Sequence, residues 1–221
     1  MKFFKDRQSA GILLSKHLKK YKIQENTIVL AIPRGGVVVA KEVANGLNLP
    51  LDIIVTRKIG APTQKELALG AVDGDGQVVW DEAMINDSRL MIEDLKEEVE
   101  AEVEEIKRRE RVYRQGRKPL NLRNKTIILT DDGIATGATT LAAIKYLKNH
   151  GAKKIILAVP VASKESIERV KGEIGEDLPA GRQVGEIIVL ETPDYFQAVG
   201  QFYQDFGEVT DKEVIQYLNY G

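Results

Sequence analysis

From residue 127 to residue 140 the chain reads IILTDDGIATGATT, and the residue types in it can do chemistry. Asp131 and Asp132 are neighbouring carboxylates with no basic residue beside them in sequence. They repel each other, so a cation or a donor-rich ligand is expected there; carboxylates accept hydrogen bonds from vicinal hydroxyls and hold hydrated magnesium. Just beyond them, Ala135, Gly137 and Ala138 leave room for a ligand to approach the backbone, and Thr136 and Thr139 supply hydroxyls. If a helix starts here, its unpaired amides point at the same spot, which makes a phosphate cradle. Carboxylates for a sugar diol beside a cradle for its phosphate fit a ribose 5-phosphate group. The competing reading is a helix cap and turn, for which Asp and Thr are common. It explains the acid pair as well as a site does, but not the whole constellation.

The elements around this stretch set its position. TIILT (126–130) is a continuous apolar run, the pattern of a strand buried on both faces. Similar runs stand at 27–31, 51–57, 154–160 and 186–190, separated by helical patterns at about 6–21, 37–46, 138–149 and 165–171. Repeated strand–helix–strand units predict an α/β fold, a parallel sheet with helices on both faces. Ligands of such sheets bind beyond the carboxyl ends of the strands. Two segments interrupt the alternation. Residues 58–80, rich in Gly, Pro and polar residues, read as a long mobile loop with room for a hairpin. Residues 87–114 read as one long helix, acidic first and basic last, with an apolar stripe that Glu102 and Arg109 interrupt. The whole chain, 1–221, is read as a single domain with a C-terminal tail at 191–221.

Two further loops lie at strand ends. In PRGG (33–36), Gly35 and Gly36 permit close backbone approach and Arg34 can make a forked contact with phosphate oxygens. Arg57 and Lys58 end the second strand run; Lys65, further into the irregular segment, reads more simply as a solvated lysine. Among the C-terminal aromatics, Tyr195 and Phe196 are candidates for stacking on a planar acceptor, against the commoner role of packing.

Composition narrows the function classes. The chain has no cysteine, so thiolate catalysis and cysteine-ligated metals are excluded and any metal must take oxygen ligands. With 32 basic against 33 acidic residues there is no global positive field to attract nucleic acid. No apolar run is long enough to span a membrane, and the opening MKFFKDRQSAG has no secretory pattern, so the cytoplasm is expected.

Residues 127–139 resemble the phosphoribosyl pyrophosphate (PRPP) signature of type I phosphoribosyltransferases: apolar residues, two acids, two apolar residues, a small residue, then Thr-Gly-x-Thr. Thr130 and Gly133 depart from it, and Gly133 predicts a looser loop. The stretches FKDRQSAGILLSKHL, LAIPRGGVVVAKEVA, IIVTRKIGAPTQKELALGAV and ETPDYFQAVGQFYQDFGEVTDKEV resemble, in this order, predicted phosphoribosyltransferases of bacteria and archaea without an assigned substrate. Residues 172–186 look longer than the resemblance leads one to expect and read as a surface insertion. The resemblance implies a magnesium-dependent enzyme that moves a phosphoribosyl group from PRPP to a nitrogenous, nucleobase-like acceptor and releases pyrophosphate. It gives Asp131 and Asp132 to the ribose hydroxyls and, through water, to Mg2+. It gives residues 135–139 to the 5-phosphate, and Arg34, Gly35, Gly36, Arg57, Lys58 and Lys65 to the pyrophosphate. A mobile catalytic loop at 58–80 and an acceptor-binding hood at 191–221 with Tyr195 and Phe196 belong to the same expectation, and a homodimer is compatible with it. A PRPP or nucleotide sensor without turnover, and a phosphohydrolase using Asp131 as nucleophile, are the alternatives.

Overall fold

The computed structural model describes residues 4–62, 64–175 and 185–218. Its centre is a five-stranded parallel sheet made of β1 (Thr27–Ala31), β2 (Leu51–Ile53), β6 (Thr126–Thr130), β7 (Lys154–Val161) and β8 (Glu186–Glu191), in the order β2-β1-β6-β7-β8. Successive side chains of a strand point to opposite faces, so each apolar run feeds two cores. Val29, Ala31, Ile128 and Ile156 pack under α1 (Arg7–His17) and α2 (Gly36–Leu47). Ile28, Leu30, Ile127, Leu129 and Leu157 pack under α5 (Ala138–Asn149) and α6 (Lys164–Gly175). The expected α/β architecture with helices on both faces is what the chain adopts. No helix among the described residues is long and apolar enough to cross a membrane.

Between β2 and β6 the chain departs from its local pattern. The run at 51–57 is not one strand: β2 stops at Ile53, the Ile54 amide donates to Ala31 O (3.0 Å), and the chain turns into a second sheet. That sheet is antiparallel, β3 (Arg57–Ala61), β4 (Gln64–Val72) and β5 (Val78–Trp80), and it replaces most of the irregular loop expected at 58–80. Ile59, Leu69, Ala71 and Val72 are buried, so apolar burial and strand pairing explain the difference. Irregular register at Gly60, where an added Cβ would lie 2.3 Å from Lys65 O, brings β3 and β4 close.

The long helix also starts later than expected. Asp81 caps α3 (Glu82–Ser88) by accepting from the Met84 amide (3.2 Å), and Arg89, with φ 58°, ends it in the left-handed region. A 3-10 turn at Ile92–Leu95 buries Leu95 against Ala61 and Leu69 and leads into α4 (Lys96–Arg114). α4 buries Ile106 and Tyr113 in the main core. The tail carries a 3-10 turn at Val199–Phe202 and α7 (Asp211–Leu218). Of the insertion expected at 172–186, residues 172–175 continue α6, and 176–184 lie outside the described residues.

Candidate active site

β1 and β6 are paired in register, Ala31 opposite Thr130, so the loops that follow them are neighbours at one end of the sheet. Residues 33–36 thereby face Asp131 and Asp132. A Cβ built on Gly35 would lie 1.9 Å from Asp132 Oδ2, and one on Gly36 would lie 2.9 Å from Asp131 Oδ1. Both glycines are therefore required by close approach of two loops. The peptide between Pro33 and Arg34 is cis. Arg34 extends to the C-terminal segment, donating to Glu208 Oε1 (2.6 Å) with Asp211 Oδ1 at 3.8 Å.

The aspartate pair is not without a base in space. Arg7, at the start of α1, donates through Nε to Asp132 Oδ2 (2.7 Å) and through Nη1 to Gly207 O (2.7 Å), and its guanidinium sits 3.7 Å from the centre of the Phe206 ring. Tyr203 Oη donates to the carbonyl of Asp132 (2.6 Å), and the Asp132 amide donates to Asp131 Oδ1 (2.8 Å). Burial, then the adjacent Asp132 charge, push the Asp131 carboxyl well above the usual carboxylate range. Burial also raises the Asp132 carboxyl, against the pull of Arg7. The two carboxylates thus differ in their partners: Asp131 accepts from the Asp132 amide, while Asp132 is held by Arg7. Replacing Arg7 by Met is expected to lower stability by about 3 kcal/mol, because it strands a mostly buried carboxylate, and, on the PRPP assignment that the resemblance implies, to weaken PRPP binding about tenfold. Without the guanidinium the Asp132 carboxyl rises further, so the binding deficit should widen from pH 8 to pH 6; titration calorimetry at the two values checks this.

Beyond the pair, Ile134 is pinned to the end of β7: its amide donates to Val161 O (2.9 Å) and its carbonyl accepts from the Ser163 amide (3.0 Å). Ser163 Oγ donates to Ala135 O (2.8 Å), and Gly137, with φ 82°, turns the chain into α5. Thr136 is exposed, Thr139 is half-buried, and the leading amides of α5 point out of the helix, as at any helix start. Arg169 Nη1 donates to Thr136 O (3.2 Å) and Asp81 Oδ2 (3.0 Å), tying the cradle to the end of β5. Gly133 does not loosen this loop: an added Cβ would meet Val199 at 2.6 Å and Val161 at 2.9 Å, so glycine lets the C-terminal 3-10 turn pack against it. The departure at Thr130 leaves a buried hydroxyl with no hydrogen-bond partner among the described residues.

The basic residues expected to serve pyrophosphate converge. Arg57, Lys58 and Lys65 line one cleft of ≈ 440 Å³ together with Pro33, Glu102 and Thr139. Arg57 Nε donates to Glu102 Oε2 (2.6 Å), and Thr56 Oγ1 donates to Thr139 O (3.2 Å). Lys65 therefore belongs to the cleft wall despite its exposure. The aromatics divide differently from expectation. Tyr195 is 63% exposed and contacts Gln197, while Phe196 packs on Phe202 with ring centres 4.9 Å apart, in a cluster with Phe4 and Tyr203. Tyr203 reaches the acid pair through the Asp132 carbonyl, and Phe206 packs on Tyr203 and on the Arg7 guanidinium that holds Asp132.

Sequence reasoning missed Arg7, Tyr203 and Glu102. Arg7 follows a helix-capping Asp6, Tyr203 is one of several aromatics in the C-terminal run, and Glu102 showed only as a charged break in an apolar stripe.

The comparisons agree with this geometry. The family described as the phosphoribosyl transferase domain matches residues 8–174. A Mycobacterium tuberculosis protein whose name places it among the phosphoribosyl transferases is 38% identical over 219 residues, 99% of this chain and 47% of its own length. This chain thus spans about half the length of that curated relative. A uracil phosphoribosyltransferase of Lactobacillus gasseri is 28% identical over 179 residues, covering 75% of this chain and 76% of the relative. The crystal structure of TT1426 from Thermus thermophilus superposes with a TM-score of 0.77 at 38% identity, covering 99% of this chain and 98% of that one. With the family match running from α1 through α6 and the acid pair, the glycine loop and the threonine cradle gathered at one sheet end, the chain belongs to the phosphoribosyl transferase family, with the type I fold.

Proposed function

We propose that this protein transfers the phosphoribosyl group of PRPP to a ring nitrogen of a nucleobase-like acceptor, with Mg2+, and releases pyrophosphate. The observation that carries the reading is the facing of two loops: Gly35 and Gly36 are nested against Asp131 and Asp132, beside the Thr136–Thr139 cradle and the basic cleft. In this assignment Asp131 accepts from the ribose hydroxyls, with Asp132 oriented by Arg7 to share them. The amides and hydroxyls of residues 135–139 hold the 5-phosphate. Arg34, the 35–36 amides, Arg57, Lys58 and Lys65 receive the pyrophosphate. The bond from C1 to the pyrophosphate oxygen breaks, the acceptor nitrogen donates its lone pair to C1, and the ring proton is lost to solvent. Catalysis is then positioning plus stabilisation of the departing charge.

The donor set suits magnesium. The site offers two adjacent carboxylates, and among the described residues no group of three or more His, Cys, Asp or Glu side chains forms a cage. Magnesium is commonly held by one or two carboxylates plus substrate phosphates, with several waters kept. Asp131 and Asp132 would hold it through water, and the ion would neutralise phosphate charge. We place the activity in the cytoplasm, in keeping with a chain that has no cysteine. For the acceptor hood we add Phe206, 37% exposed with its ring on the Arg7 guanidinium that holds Asp132, to Tyr195 and Phe196.

Pyrophosphate release from Mg2+–PRPP, measured against a panel of pyrimidines, purines and other nitrogen heterocycles, tests the proposal. Release that depends on one acceptor is expected. PRPP binding with no release under any acceptor would instead identify a sensor, and a trapped aspartyl phosphate would identify a hydrolase.

A further inference from the structure

Both arginines given to the pyrophosphate are held by carboxylates. Arg57 donates through Nε to Glu102 Oε2 (2.6 Å), and Arg34 donates through Nη2 to Glu208 Oε1 (2.6 Å). Neither carboxylate comes from the parallel sheet or the loops at its strand ends: Glu102 stands on α4, and Glu208 precedes α7. Their settings differ. Glu208 is 75% exposed, where water and salt screen its charge, whereas Glu102 is 25% exposed. Glu102 also lines the cleft itself, on the same wall as Lys58 and Lys65.

Two roles are open to Glu102, with opposite consequences. A brace would sit behind Arg57 and aim it at the ligand, so removing its charge would weaken anion binding. A competitor would stand in the cleft and offer Arg57 the oxygen that a phosphate offers in its place, so removing its charge would strengthen anion binding. The position on the cleft wall is that of a competitor. The contact is also a single one: among the described residues the Arg57 guanidinium makes no other hydrogen bond, and a lone bond is exchanged more readily than a fork. On the reading of this cleft as the pyrophosphate site, we propose that Glu102 is an exchangeable counter-anion. It yields Arg57 to the arriving pyrophosphate group, and its charge stays on the wall. The repulsion that remains grows with the charge of the ligand. Glu102 thereby makes the cleft discriminate against bare pyrophosphate in favour of its magnesium complex, and it helps to expel the product.

Titration calorimetry of the unaltered chain and of Glu102→Gln with inorganic pyrophosphate, with and without Mg2+, tests this. Glutamine keeps an oxygen for the Arg57 Nε–H and removes the charge, and circular dichroism and melting check that the variant folds. The variant should bind metal-free pyrophosphate about tenfold more tightly and the magnesium complex only about threefold more tightly. Glu208→Gln should change either affinity by less than about twofold, as its exposure dictates. On an Arg57→Met background the gain from Glu102→Gln should shrink, because no bond is left to exchange. Pyrophosphate bound by Glu102→Gln no more tightly than by the unaltered chain would make Glu102 a brace and overturn the proposal. A gain equal with and without Mg2+, or equal on both backgrounds, would overturn it too. An unaltered chain that binds no pyrophosphate at millimolar concentration would instead remove the assignment of the cleft, and this role of Glu102 with it.

Discussion

Replacing Asp131 by Asn will lower PRPP turnover about a hundredfold or more, and at pH 7 it will raise the melting temperature by a few degrees. On the proposed assignment, the loss of turnover follows from removing the acceptor of the ribose hydroxyls. The gain in stability follows from what that acceptor costs. Burial and the neighbouring Asp132 push the Asp131 carboxyl well above the usual range, so the folded state holds this proton more tightly than the unfolded state does. Such a group weakens the fold at pH values above its folded-state pKa, and the penalty fades as pH falls towards the ordinary carboxylate range. Asparagine keeps the oxygen that accepts from the Asp132 amide at 2.8 Å and carries no charge. The stabilisation should be about 1 kcal/mol at pH 7 and shrink at pH 4.5, read by scanning calorimetry at both values. A variant that turns over PRPP normally, or melts lower at pH 7 than the unaltered chain, would contradict this account of the acid pair.

Gly35→Ala should be nearly as damaging for a different reason. The backbone is no obstacle: Gly35 has φ −58° and ψ −37°, which any L residue adopts. On backbone entropy alone alanine would stabilise the chain. The obstacle is space, because the new Cβ would fall 1.9 Å from Asp132 Oδ2 and 2.8 Å from Arg7 Nε. One of the two loops must retreat, and displacing a positioned group by about 1 Å can cost on the order of a hundredfold. We expect PRPP affinity to fall about that far and stability to fall by about 1–3 kcal/mol. Gly172→Ala is the control. It lies in α6 with nothing within 4 Å of an added Cβ, and it should leave affinity unchanged while stabilising by about 0.5–1 kcal/mol. Equal affinities for the two glycine variants would mean that residues 33–36 do not shape the site.

What the sequence discloses depends on how far apart the cooperating residues lie. The parallel strands and the cradle are legible because each is a contiguous pattern: an apolar run, then a loop, then a helix start. β3 to β5 are less so, because their pairing is set by antiparallel partners and broken by the irregular register at Gly60. Leu67, Leu69 and Ala71 do alternate, but Gly and polar residues around them hide a strand that is stabilised only once it lies on the core. Arg7 meets Asp132 across 125 positions of sequence, and no local rule reports that contact. Glu102 did leave a trace, since a carboxylate that breaks an apolar stripe needs a partner, and Arg57 supplies it. Tyr203 and Phe206 could be told from Tyr195 and Phe196 only in space.

The most direct measurement is calorimetric titration of the unaltered chain and of Asp131→Asn with PRPP, each with and without Mg2+. The expected result is magnesium-dependent binding by the unaltered chain that the variant loses. Binding of equal strength by both chains, or none by the unaltered chain at concentrations where a millimolar site would show, would contradict the assignment of Asp131 to the PRPP site.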